Sequence, residues 1–112
     1  MIQAENVKDI QLNCYETVYI LKSDLNEDKT LSIINDYKSM LTNGGAKNIV
    51  LQHRGRRHLS YPINDYHDGI YVQINYEGNG QLVQSFEKSL RFDDNIIRYL
   101  TNKQKTNIKS DN

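Results

Sequence analysis

The chain has 112 residues, enough for one domain with one core and too few for a second. Its 14 lysines and arginines balance its 14 aspartates and glutamates, so any affinity for nucleic acid must come from local patches rather than from overall charge. One cysteine, Cys14, excludes an internal disulfide, and the sequence predicts no zinc or other metal site and no cofactor.

The two ends of the chain differ from its centre. Residues 1–13 are predicted to form a polar extension that resembles neither a secretory signal nor an arginine-rich transit peptide. Residues 103–112 are predicted to form a disordered basic tail, which leaves one domain at residues 14–102. No apolar stretch approaches the roughly twenty residues of a membrane-spanning helix, so no membrane partner is expected. Frequent Asn, Ile, Lys and Tyr suggest an AT-rich genome, such as that of a plastid or of some bacteria.

The first predicted elements are a strand and a helix. Residues 14–21 are rich in β-branched and aromatic side chains, and Val18 and Ile20 are expected to face the core. Asn26 is the predicted N-cap of a helix that the Gly44-Gly45 pair ends. The buried face of this helix is predicted from apolar residues at helical spacing: Leu31, Ile34, Tyr37 and Leu41.

The next segment carries most of the arginines. Residues 47–54 alternate loosely, and residues 58–63 alternate again after Gly55. This pattern is typical of either a hairpin that turns at Gly55 or one long, bent strand. Pro62 indicates a sheet edge or a strand end, and residues 64–69 are predicted to form a polar loop.

The second half of the chain repeats the order of strand, helix and strand. A strand begins at Gly69, with Ile70, Val72, Ile74 and Tyr76 on one face. After the turn at residues 78–80, Leu82, Phe86 and Leu90 fall on one face of a second helix. Residues 96–101 are predicted to form the last strand.

The predicted order is therefore β-α-β-β-α-β, an α+β class with the ferredoxin-like split βαβ pattern. Two right-handed crossovers place both helices on one face of a four-stranded antiparallel sheet and leave the other face open. With Val18, Ile20, Val72 and Ile74 directed towards the helices, the open face is expected to carry Tyr15, Thr17, Tyr19, Tyr71 and Gln73.

Positive charge is concentrated in the long central segment. Arg54, Arg56 and Arg57 are three of the five arginines, and no acidic residue occurs between Asp36 and Asp65. The guanidinium fork pairs bidentately with phosphate oxygens, so the cluster favours an RNA or DNA backbone as ligand. From the residues alone, the arginine cluster is explained equally well as a solvated hairpin tip whose charge prevents aggregation of the sheet.

Four segments resemble the bacterial-type ribosomal protein six family of the small subunit. Tyr15-Glu16 opens the first strand as in that family, and the third strand carries Tyr71. The remaining two segments are Gly55-Arg56-Arg57 with Leu59-Ser60-Tyr61-Pro62-Ile63, and Leu90-Arg91-Phe92-Asp93-Asp94-Asn95-Ile96-Ile97-Arg98. Together they span Tyr15 to about Thr101. The extra polar stretch before Tyr15 departs from the family pattern, and no role is assigned to His58.

The resemblance implies a ribosomal protein, not an enzyme, with no small-molecule substrate. Its expected partners are the central domain of the small-subunit rRNA and ribosomal protein eighteen of the same subunit, in a plastid or a bacterium. Arg56 and Arg57 are expected to contact phosphates or the partner, and Tyr61 to anchor the strand that presents them. Arg54, Lys47, Arg91 and Arg98 complete the predicted RNA- or partner-binding set. Asp93 and Asp94 either pair with Arg91 and Arg98 or cap the turn before the last strand.

Three other readings are compatible with a ferredoxin-like sheet. A free-standing module for single-stranded RNA stacks bases on aromatic side chains, here Tyr15, Tyr19 and Tyr71. A regulatory domain of this fold binds a small molecule, although no residue indicates which one. An enzyme is disfavoured, because the three histidines have no paired nucleophile and residues 22–25 lack a glycine-rich anion loop.

Overall fold

The computed structural model of the protein describes residues 12–104, and residues 1–11 and 105–112 lie outside the description. The observed order of elements confirms the predicted β-α-β-β-α-β pattern. Strand β1 is Asn13–Lys22, helix α1 is Glu27–Asn43, strand β2 is Lys47–Ile63, strand β3 is Tyr66–Gly78, helix α2 is Gly80–Arg91 and strand β4 is Ile96–Gln104. Lys103 and Gln104, which the sequence assigns to the tail, belong to β4. The rest of that tail and most of the predicted N-terminal extension lie outside the described residues.

The four strands form one antiparallel sheet in the order β2-β3-β1-β4, so β2 and β4 are the edge strands. One face of the sheet packs against both helices. The core on that side contains Val72 and Ile74 of β3, Leu41 of α1 and Phe86 of α2. This arrangement is the ferredoxin-like fold.

Each helix begins at an asparagine that satisfies a free backbone N–H group. The Asn26 side chain accepts a hydrogen bond from Lys29 N at 2.7 Å, which confirms the predicted N-cap, and Asn79 accepts one from Leu82 N at 2.8 Å. The buried face of α1 includes Ile34, Tyr37 and Leu41 as predicted, but also Thr30 and Ile33, and it excludes Leu31. Ile33 is buried and Leu31 is 43% exposed, because the stripe that faces the sheet lies closer to Ile33 and Ile34.

The predicted orientation of β1 is wrong. Tyr19 lies opposite Val72, and Thr17 lies opposite Ile74. Residues directly opposite in a sheet share a face, so Thr17 and Tyr19 point towards the helices and are fully buried. Val18 belongs to the open face instead. Period-two alternation cannot decide between the two faces here, because β1 carries apolar side chains on both of them.

Three tyrosines hold the helix side of the sheet together. Tyr37 packs edge-on against Tyr19 and Phe86, with ring centroids 5.5 and 5.8 Å apart, and its hydroxyl donates a hydrogen bond to Asp93. Tyr76 also packs on Phe86, and its hydroxyl is 3.0 Å from the Thr17 hydroxyl. Burial raises the pKa of all three phenols, and for Tyr37 the nearby Asp93 carboxylate raises it further.

The β2–β3 hairpin does not turn at Gly55. Lys47–Ile63 is one long strand, and Gly55, with φ of 86°, lies at a register shift within it. The turn is the pair Asn64-Asp65, whose φ angles of 51° and 70° suit a two-residue hairpin loop. The predicted polar loop at residues 64–69 is therefore wrong for residues 66–69, which are part of β3.

A second irregularity changes the shape of the hairpin near its tip. His58 lies opposite Asp68, and Ile63 lies opposite Tyr66. Residues 59–62 of β2 therefore face only His67 of β3, which makes a wide bulge. The bulged residues contribute to a groove on the open face of the sheet.

Candidate functional site

The open face of the sheet is graded in chemistry from one end to the other. Residues that lie opposite one another form cross-strand rows. From the hairpin end, the first three rows are Arg57-Gly69-Lys22, Gly55-Tyr71-Ile20-Arg98 and Gln52-Gln73-Val18-Leu100. The last two rows are Val50-Asn75-Glu16-Asn102 and Lys47-Glu77-Cys14-Gln104. Cations and apolar side chains dominate the hairpin end, and amides and carboxylates dominate the far end.

An apolar groove of about 360 Å³ lies at the hairpin end of this face. Ile20 and Leu59 are 7% and 4% exposed, although neither belongs to the core on the helix side. Tyr61 and Leu100, at 61% and 62%, are exposed at the groove. The complete lining is Val18, Ile20, Leu59, Ser60, Tyr61, Ile63, Tyr71, Arg98, Tyr99 and Leu100.

A glycine on the sheet gives the groove its floor. A Cβ atom on Gly69 would collide with the Cγ2 atom of Ile20 and would lie 3.6 Å from the Cδ1 atom of Ile97. Only a residue without a side chain allows Ile20 to lie across this strand. Gly69 therefore makes room for the apolar contacts beneath the bulge of β2.

Arg56 and Arg57 lie on opposite faces of β2. Arg56 is opposite Ile70, on the helix side, and its Nη1 atom donates a hydrogen bond to the Ser23 carbonyl oxygen at 2.9 Å. Arg57 is opposite Gly69, on the open face, and is exposed. Within the described residues, Arg57 has no hydrogen-bond or ion-pair partner. The adjacent arginines are thus not equivalent, because only Arg57 has a free guanidinium.

The other predicted cations of β2 are separated along the strand. The Nη2 atom of Arg54 donates to the Gln73 side chain at 2.7 Å, which directs Arg54 to the open face. Lys47 is at the far end, opposite Glu77. The structure therefore brings Arg54 and Arg57 to the same face but leaves Lys47 about 20 Å or more from them, at 3.3 Å per residue.

Arg91 and Arg98 do not form one cluster. The Nε atom of Arg91, at the end of α2, donates to the Tyr99 hydroxyl at 3.3 Å, and its guanidinium lies 6.0 Å from the Phe92 ring centroid. Arg98 is exposed on the open face, opposite Ile20, and lines the apolar groove. Arg98 thus belongs with Arg57 rather than with Arg91.

Asp93 caps the turn before β4. Its side chain accepts hydrogen bonds from Asn95 N at 2.9 Å and from the Tyr37 hydroxyl. Neither Asp93 nor Asp94 has a carboxylate oxygen within 4 Å of an arginine nitrogen; among residues 12–104 the one carboxylate contact of this kind joins the Asp68 carboxylate to the His58 ring at 3.3 Å. Of the two alternatives for Asp93, the turn cap is the one observed.

The structure does not bury Tyr61, the predicted anchor of the hairpin. Its side chain is 61% exposed, whereas Leu59 is 4% exposed and packs at the groove. Plain alternation over residues 58–63 places Leu59 and Tyr61 on the same face of the strand. The bulge at residues 59–62 breaks this alternation, so Leu59 holds the segment and Tyr61 is available for contacts.

Sequence reasoning also missed four residues of the open face. Val18 and Ile20 were placed on the wrong side of β1, and Lys22 and Leu100 were given no role. The alternation in β1 places Val18, Ile20 and Lys22 on one face in either phase, so the sequence contains the set but not the side of the sheet on which it lies. Only the register with β3 decides between the two phases.

The stacking platform predicted for single-stranded RNA is absent from the described structure. Tyr19 is fully buried on the helix side. Tyr15 is half-buried on the same side, stacked on Tyr76 with ring centroids 5.9 Å apart. Of the three tyrosines, only Tyr71 reaches the open face. The hypothesis of a single-stranded RNA module therefore loses two of the three side chains on which bases would stack.

Residues 12–104 contain no group of three or more His, Cys, Asp or Glu side chains placed to hold a metal ion. Within the same residues, neither helix is long and apolar enough to cross a membrane. The described residues thus form a ferredoxin-like sheet whose open face carries an apolar groove and exposed arginines.

Comparisons with known proteins identify the family. The sequence model described as Ribosomal protein S6 matches residues 14–103. The small ribosomal subunit protein bS6c of Pyropia yezoensis is 91% identical over 111 residues, covering 99% of each chain, and that of Porphyra purpurea is 78% identical, covering 97% of each. The crystal structure of 30S ribosomal protein S6 from Thermotoga maritima superposes with a TM-score of 0.79 at 24% identity, covering 84% of this chain and 89% of that one.

The chain belongs to the ribosomal protein S6 family and is a component of the small ribosomal subunit. The resemblance inferred from its motifs is thereby confirmed. The red algal relatives are plastid-encoded, which confirms a ribosomal localisation and favours the plastid over the bacterium. The Thermotoga structure confirms the fold.

Proposed function

We propose that this ribosomal protein acts by binding, without catalysis, and that it holds the central domain of the small-subunit rRNA jointly with ribosomal protein eighteen. The groove at the hairpin end takes the protein partner, and the arginines beside it take RNA phosphates. The observation that carries the proposal is the apolar groove with Arg98 in its lining.

The groove has the composition of a protein interface. Such interfaces combine an apolar, aromatic centre with a polar rim. Tyr61 and Leu100 are both more than half exposed, and they lie beside the buried Ile20 and Leu59. Large exposed apolar side chains around a groove favour a partner that covers them. A partner chain seated there removes this apolar surface from water.

The arginines near the groove suit a negatively charged ligand. Arg57 and Arg98 are exposed and have no hydrogen-bond or ion-pair partner among the described residues. Each phosphate contact adds a modest, salt-dependent gain in affinity. Since the chain has zero net charge, a few contacts give weak binding by themselves. A second protein on the same RNA site then raises the affinity through coupling.

The decisive measurement is binding of the purified protein to the central-domain rRNA fragment, with and without ribosomal protein eighteen, over a range of salt concentrations. We expect salt-sensitive binding that tightens strongly when the partner is present. Partner-independent binding to any single strand would favour a stacking module instead. Absence of binding in every arm would refute the proposal.

A pair of leucine variants tests the groove itself. Leu100→Glu places a charge on the open face, and Leu31→Glu is its matched control on the outside of α1, where Leu31 is 43% exposed. We expect Leu100→Glu to abolish binding of ribosomal protein eighteen and Leu31→Glu to leave it unchanged. Equal partner binding by both variants would exclude the groove as the docking site.

A further inference from the structure

One cation of the open face has no role in the resemblance or in the predicted site. Lys22 is the last residue of β1, and Gly69 lies between it and Arg57 in the first cross-strand row. Arg98 belongs to the second row, on the other neighbour of β1, which makes it a diagonal neighbour of Lys22. The Lys22 backbone is fixed, because its N–H donates to the Asn95 carbonyl oxygen at 3.0 Å.

We infer that Lys22, Arg57 and Arg98 form one phosphate-binding row, and that the rRNA backbone crosses the open face at the hairpin end. The inference rests on the proposed function and adds to it a path for the RNA and a residue. Neighbouring strands are about 4.8 Å apart, so the backbones of Arg57 and Lys22 are about 10 Å apart. Gly69 adds no side chain of its own, and the Ile20 side chain lies above it. The Arg57 and Lys22 side chains are long enough to reach over Ile20 from either side.

No carboxylate of the open face competes for these cations. Glu16 and Glu77 lie in the two rows at the far end. Glu16 is six residues from Lys22 along β1, about 20 Å at 3.3 Å per residue. This separation exceeds the Debye length of about 8 Å at physiological salt, so the attraction between them is largely screened. The cross-strand rows at the hairpin end therefore contain cations and no carboxylate, and the acidic residues Asp24 and Asp94 lie near Lys22 in the adjoining loops.

An RNA backbone fits this arrangement better than an acidic peptide. The three cations of the phosphate-binding row lie on three strands, β2, β1 and β4, so they suit a ligand that carries a charge at every unit. Arginine offers a fork for two phosphate oxygens, and lysine adds a flexible point charge between the two arginines. A single carboxylate would use only one of the three.

The test compares Lys22→Gln with the wild type in the rRNA assay, over salt concentrations from about 50 to about 200 mM. Removing one phosphate contact lowers the log-log salt slope by about 0.7 to 0.9, so the advantage of the wild type changes about threefold over that range. Lys22→Arg is expected to restore the slope. Lys38→Gln, on the exposed side of α1, is the matched control for loss of one positive charge. Circular dichroism verifies that each variant is folded.

The possible results distinguish failure of the phosphate-binding row from failure of the proposed function. A shallower slope for Lys22→Gln alone, with binding of ribosomal protein eighteen unchanged in the absence of RNA, supports the row. An unchanged slope overturns it. The phosphate-binding row is also overturned if Lys22→Gln weakens binding of ribosomal protein eighteen without RNA and leaves the salt slope of rRNA binding unchanged. That result would assign the three cations to an acidic segment of the protein partner. If the wild-type protein binds no rRNA in any arm, the proposed function itself fails.

Discussion

The two adjacent arginines of β2 provide a sharp test, because strand alternation gives them different surroundings. Arg57→Gln removes a free guanidinium from the open face, next to the groove. Arg56→Gln removes a hydrogen bond to Ser23 O from the helix side. We expect the first substitution to weaken RNA binding and the second to lower the free energy of unfolding. Each substitution removes the same charge, so the pair controls for net charge.

Arg57→Gln is expected to change the salt dependence of RNA binding, and Arg56→Gln the free energy of unfolding. Loss of one phosphate contact through Arg57 lowers the salt slope by about 0.7 to 0.9, or about threefold in relative affinity over a fourfold change of salt. Loss of the Arg56 hydrogen bond costs about 0.5 to 1 kcal/mol, since the side chain is exposed. In a domain of this size, that cost lowers Tm by about 2 to 8 °C.

Two assays measure both effects on the same samples. Filter binding or fluorescence anisotropy with the central-domain rRNA fragment and ribosomal protein eighteen gives the salt slope, and thermal unfolding gives Tm. If both variants reduce the slope equally, the assignment of Arg56 to the loop contact is refuted. If Arg57→Gln lowers Tm and leaves the slope unchanged, the assignment of Arg57 to RNA is refuted.

Two further predictions concern stability. Tyr19, Tyr37 and Tyr76 have raised pKa values in the fold, so above about pH 10 the native state retains protons that the unfolded state loses, and stability falls by about 1.4 kcal/mol per pH unit for each of them. As the pH is raised, phenolate absorbance from these three tyrosines is expected to appear together with loss of the circular dichroism signal of the fold. Ionisation of all the tyrosines while the protein stays folded would contradict the prediction. Leu59→Ala is expected to cost about 2 to 4 kcal/mol in urea unfolding and Tyr61→Ala less than about 1 kcal/mol, because only Leu59 is buried. Equal costs would show that Tyr61 is the anchor after all.

The sequence predicts most of the fold because its local signals agree with one another. Asn26 and the Gly44-Gly45 pair bound α1 as expected. Clean alternation in β3 identifies Val72 and Ile74 as core residues, and both are fully buried. What fails is long-range: the orientation of β1 depends on its pairing with β3, and both faces of β1 are apolar. A one-residue change of phase reverses every side chain of a strand.

The candidate site is harder to predict, because the positions of its residues depend on two irregularities in β2. Gly55 signals a turn in the sequence, yet in the fold it only shifts the register of β2. The bulge at residues 59–62 then separates Leu59 from Tyr61, which plain alternation puts together. Residue types alone identify the arginines, but which of them are free depends on contacts such as that between Arg56 and Ser23.

The placement of the cations also bears on partner choice. An exposed apolar groove favours self-association, since a second copy buries the same surface. In a symmetric pair whose two grooves face each other, however, the cations beside one groove lie close to those beside the other. Like charges brought together at an interface are unfavourable. Their main effect is on specificity, because they weaken binding of a second copy of the chain. On the proposed path, RNA phosphates would remove that repulsion. Lys22, Arg57 and Arg98 would then favour a different chain, bound on the same RNA, over a second copy.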